Sequence, residues 1–114
     1  RMELALIDES GSILETYNIS TVAEKIVWSE SSTAFYVLEP EISSDRVMPD
    51  DYYEGKINRF TESLYVVRVG SEEPQLLSDN IGSTDASELI LNRDETVMFF
   101  VNKVDYLIYR LPLQ

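Results

Sequence analysis

The chain repeats a strand–turn–strand unit at an offset of 63 residues, and this feature limits its fold more than any other. Val22-Ala23-Glu24-Lys25-Ile26-Val27-Trp28 leads through Ser29 to Ser32 into Thr33-Ala34-Phe35-Tyr36-Val37-Leu38. Ala86-Ser87-Glu88-Leu89-Ile90-Leu91 leads through Asn92 to Glu95 into Thr96-Val97-Met98-Phe99-Phe100-Val101. Each copy is an apolar strand, a short polar turn and a second apolar strand. Self-similarity at a fixed period marks a repeat architecture, in which one supersecondary unit buries its apolar face against the next.

The rest of the chain also reads as strand and turn. Leu4 to Ile7, Ile13 to Ile19, Leu64 to Val69, Gln75 to Leu77 and Tyr106 to Leu111 are short strand patterns. Gly11 closes the first turn, where a positive φ is needed that glycine adopts without strain. Ile26 to Trp28 and Phe35 to Leu38 are apolar on both faces, the pattern of strands covered on both sides. The same pattern predicts that Trp28 and the run Met98 to Val101 belong to the core. No segment carries a helical stripe beyond two turns.

Labelled A to D within one four-stranded unit, the strands run C-D, A-B-C-D, A-B-C. The expected fold is all-β, with antiparallel four-stranded sheets like propeller blades, about two of them. Residues 1–21 form a partial blade, 22–81 a full blade and 82–114 a second partial blade. A β-sandwich of about nine strands is the alternative. The segment 39–62 is the one long connection, between strands B and C, and a loop of that length in a small domain is commonly functional.

The turns carry a family resemblance. Trp28-Ser29, a polar turn, then Phe35-Tyr36-Val37 resembles the TolB/PD40 repeat of WD40-like propellers, whose pattern is Ser-Pro-Asp-Gly followed by an apolar strand. Leu91-Asn92-Arg93-Asp94-Glu95-Thr96 looks like a second copy. Ser29 and Asp94 match that signature; Glu30 and Arg93 stand where it has Pro, and Ser32 and Glu95 where it has Gly. The resemblance implies a scaffold that presents a partner-binding surface, and it carries over no catalytic residue. Two blade equivalents do not close a ring of at least about four. The chain is therefore expected to be part of something longer, to associate with copies of itself, or to pack its sheets face to face.

Composition narrows the chemistry. Net charge is −12, from 21 acidic and 9 basic residues. Such a chain repels nucleic acid and anionic membrane, and favours a cationic or protein partner. The absence of Cys and His removes disulfides, thiolate chemistry, the Ser-His-Asp triad and the commonest transition-metal ligands. We therefore expect no enzyme. No apolar run is long enough for a membrane helix. The start at Arg1, directly in a strand pattern, suits a mature or excised piece, with an extracytoplasmic or surface location favoured. Asn18-Ile19-Ser20 fits a glycosylation sequon at a frequency chance supplies.

The expected interaction face combines the long loop with the D-to-A connection. It gathers Asp50, Asp51, Tyr52, Tyr53, Glu54 and Asp85, carboxylates beside tyrosines that offer contact area and a polar tip. Asp45, Asp50, Asp51 and Glu54 are the candidate Ca²⁺ ligands, as oxygen donors on a flexible loop. The loop is no EF-hand, since Tyr52 and Thr61 fall where that motif needs carboxylates. The expected function is a non-catalytic binding or scaffold module for a protein partner or cation. The alternatives are the regulatory propeller portion of a larger enzyme and a self-associating structural subunit.

Overall fold

A computed structural model describes residues 4–19, 21–41, 60–71 and 73–113. They form three antiparallel sheets, with no α-helix among the described residues. The first pairs β1 (Leu4–Ile7) with β2 (Ile13–Tyr17). The second runs β3 (Ile26–Trp28), β4 (Ala34–Glu41), β5 (Phe60–Arg68), β6 (Gln75–Ser78), with the short β7 (Ser83–Thr84) beside the start of β5. The third holds β8 (Ala86–Leu91), β9 (Val97–Asn102) and β10 (Leu107–Pro112). Each sheet is a meander of sequence neighbours, with β7 set beside β5. The turn after β1 shows the local chemistry: Asp8 Oδ1 accepts from the Ser10 and Ser12 amides, and Gly11 takes φ 88°.

The repeat is real in three dimensions. Trp28 pairs with Phe35 as Leu91 pairs with Met98, and Val27 with Tyr36 as Ile90 with Phe99. Both turns close with the same bonds: Ser29 N–H to Ala34 O at 2.9 Å, and Asn92 N–H to Val97 O at 3.1 Å. Ser32 and Glu95 both sit in the left-handed region, at φ 59° and 56°. The third strand keeps step as well, Ala34 facing Arg68 as Val97 faces Pro112. One irregularity separates the copies. In β8 Glu88 and Leu89 together oppose Phe100, a bulge that puts Glu88 at φ 53°.

The middle sheet has a core on each side. Phe35, Val37 and Val67 pack with Tyr17 of the first sheet and with Ile19 just after it. Leu38 and Leu64 pack with Ala86, Leu89, Met98 and Phe100 of the third. Successive strand residues point to opposite faces, so a strand apolar on both faces serves two cores. The described residues thus stack as three layers, where a sandwich would have two.

Several expectations are corrected. Trp28 is 44% exposed. It ends an edge strand, its ring tilts over Phe35 at 5.0 Å, and among the described residues no strand lies beyond β3 to cover it. Of the run Met98 to Val101, Met98 and Phe100 are core, while Phe99 lies on the other face at 36% exposure. The long connection is shorter than 39–62, because Glu39, Pro40 and Glu41 pair with Ser63, Glu62 and Thr61. There β4 runs past the end of β3 and is bordered on one side only, where a strand tolerates proline.

Candidate functional site

Asp45, Asp50, Asp51, Tyr52, Tyr53 and Glu54, the expected loop-face and Ca²⁺ residues, lie outside the described residues. Asp85 is described, and it is 3% exposed rather than part of an open face. Among the described residues no cluster of acidic side chains is arranged to hold a metal ion.

Asp85 instead belongs to a buried ionic cluster that sequence reasoning missed. Lys25 closes a single 3-10 turn, Ala23–Lys25, just before β3, and its side chain is fully buried. Its Nζ donates to Asp85 Oδ1 at 3.0 Å and to the Ala86 carbonyl at 2.7 Å. Glu62, fully buried on β5, lies with Oε2 2.7 Å from the same ammonium. Both side chains are fully buried, so water and salt screen this pair little. Glu62 Oε1 accepts from Thr84 Oγ1 at 2.6 Å and from the Ala86 amide at 2.9 Å. Asn102 Oδ1 takes the Asp85 amide at 3.1 Å. The cluster therefore ties the middle sheet to the third. Lys25, Glu62 and Asp85 border neither groove described below, while Thr84 and Asn102 line a hollow of about 280 Å³ with Phe100 and Tyr109.

The open feature is a groove of about 320 Å³ between the two equivalent hairpins. Val27, Leu89 and Leu91 supply its apolar wall. Trp28, Glu30, Arg93 and Glu95 line it with an aromatic ring and three charges. The two turns are tied there by the Glu30 amide, which donates to Glu95 Oε2 at 3.2 Å. Burial raises the Tyr36 phenol above its ordinary range, and the Glu95 carboxylate adds to that push. A smaller hollow of about 130 Å³ opens on the other side of Trp28, against Leu4, Leu6 and Ile26. The exposed Trp28 stands between the two. Residues 63 apart in sequence thus supply matching turns to one groove, which the repeat made findable; the exposure of Trp28 was not.

The face of β8–β10 turned away from the core carries Ile90 and Ile108, 62% and 73% exposed, with Phe99 and Val101 between them. Compared with protein-family models, with curated proteins and with solved structures, the chain matches none of them.

Proposed function

We propose that this chain is a non-catalytic scaffold module of the propeller type, built from blade-like sheets that stack face to face and resembling TolB/PD40 repeats. The sheets would be the blades C-D, A-B-C-D and A-B-C. One observation carries the reading. Ile90, Phe99, Val101 and Ile108 on the outer face of the third sheet are the register counterparts of Val27, Tyr36, Leu38 and Leu64 on the middle sheet. Those four pack in the core that the third sheet itself covers. A face of this kind, in the chain's own usage, receives a further sheet, and contiguous exposed apolar surface on a soluble chain marks an interaction site. Arg110, in the place of Val66, makes the outer face less apolar than its counterpart.

The further sheet would come from a second copy, from another chain or from more of the same protein, and the first sheet offers an opposite outer face with Ile7 and Leu14 exposed. Such head-to-tail contacts are heterologous and build rings or open stacks. Sedimentation of the isolated chain tests this. The apparent mass should rise with concentration, and Ile108→Glu should hold the chain monomeric with its far-UV spectrum unchanged. A wild-type chain that stays monomeric at high micromolar concentration, or an Ile108→Glu variant that associates equally, would overturn the reading.

A further inference from the structure

We infer that the groove between the β3 and β8 hairpins binds the guanidinium of an arginine side chain presented by a basic peptide. The inference does not rest on the stacking reading, although Ile90 borders both the groove and the outer face. Three observations on that groove converge. Its rim includes Trp28, which is 44% exposed. A cation over an indole face is attracted by the ring quadrupole, and arginine stacks there best because its guanidinium is flat and weakly hydrated. Two carboxylates, Glu30 and Glu95, line the groove against one basic residue, Arg93. The Glu30 amide bond to Glu95 fixes the two carboxylate-bearing turns relative to one another.

Size and charge fit the same ligand. A volume of about 320 Å³ is at the small end of ligand sites, suited to one side chain and its adjoining backbone rather than a large cofactor. The apolar wall of Val27, Leu89 and Leu91 meets the methylene stem, while the head reaches the ring and carboxylates. A chain of net charge −12 draws basic peptides from a distance, which raises encounter rates without choosing a site. The groove supplies the choice.

Trp28 is the sole tryptophan, so its emission reports occupancy of this groove directly. The test titrates the chain with acetyl-Gly-Arg-Gly-Arg-Gly-amide and follows that emission. A saturable change is expected, together with none from the same peptide carrying citrulline in place of arginine. The double variant Glu30→Gln/Glu95→Gln should weaken binding about tenfold. Glu9→Gln/Glu73→Gln, which alters net charge equally on exposed positions away from the groove, should leave it unchanged. Circular dichroism checks that each variant is folded; Glu30→Gln alone, at an exposed position, serves if the double variant is not. The inference fails if Trp28 emission does not respond saturably, or if the citrulline peptide binds as well. It also fails if both double variants weaken binding alike, which would mean a diffuse field and no site.

Discussion

Replacing Lys25 by Met is the sharpest probe of how the middle and third sheets are held together. Lys25→Met removes the ammonium that lies 2.7 Å from Glu62 Oε2 and 3.0 Å from Asp85 Oδ1. The Ala86 carbonyl loses its donor at 2.7 Å as well. Methionine is unbranched and of similar reach, so the void left behind is small. What remains is two buried carboxylates without their counter-charge. Removing one partner of a buried ion pair costs about 3–5 kcal/mol, set against roughly 5–15 kcal/mol for a whole domain. In urea, with a slope of about 1–3 kcal/mol per molar, that loss moves the midpoint by 1 M or more while the slope stays constant. Added salt should change the difference little, because buried charges are poorly screened. The triple variant Lys25→Met/Glu62→Gln/Asp85→Asn should recover at least half of the loss. Glutamine at 62 still offers an acceptor to Thr84 Oγ1 and the Ala86 amide, which Glu62 Oε1 holds at 2.6 and 2.9 Å. A single variant that loses less than about 1 kcal/mol, or a triple variant worse than the single, would refute the reasoning.

Three further outcomes follow from the structure. Burial pushes the Tyr17 phenol to about 12, helped by its bond to Glu15; the folded state thus holds this proton more tightly, so stability present below the ordinary value of 10.0 is lost as pH climbs towards about 12. Urea midpoints across that range should fall for the wild type and fall less steeply for Tyr17→Phe, and equal slopes would count against it. Trp28→Ala should cost about 1–2 kcal/mol in the same melts, below the roughly 3–5 kcal/mol of a buried aromatic, because the ring is half open; a larger loss would mean the ring is covered. Ser32→Gly should raise stability by about 0.5–1 kcal/mol, since relief of a left-handed non-glycine residue outweighs the added freedom of the unfolded chain, and a drop in the thermal midpoint would contradict the φ of 59°.

Much of the fold was legible because it is local. The bounds of β1 and β3 and the pairing of both hairpins follow from apolar runs and turn chemistry within a few residues. The ionic cluster was not, because Lys25 and Asp85 are 60 residues apart and each alone looks like a surface charge. One signal was present. Glu62 is in phase with Leu64 and Val66, so alternation puts it on their buried face, yet its charge disguised the start of β5 as loop. The two-residue β7 has too little pattern to read at all. Trp28 was misjudged for a different reason: hydropathy says what a residue prefers, and only the sheet order says that β3 is an edge.

The buried cluster also bears on which partner the outer face would accept under the proposed stacking. Apolar faces attract without direction, so two sheets held by them alone can slide, whereas Lys25 fixes one position by reaching Glu62 and Asp85 at once. The repeat does not reproduce this device. At the 63-residue offset Glu88 stands for Lys25, exposed and in a bulge. In the turn just before β10, Tyr106 precedes Ile108 as Glu62 precedes Leu64 on β5, and Tyr106 is 78% exposed. Neither half of the ion lock is present on the outer side. A sheet docking there meets the same aliphatic surface under a different constraint, with an anion at Glu88 and a phenol at Tyr106. A partner that carries its own cation opposite Glu88 is therefore distinguished from an exact copy of the third sheet. Under the stacking proposed above, the interior contact would set how two sheets register, and the divergence at these two positions would set what docks next.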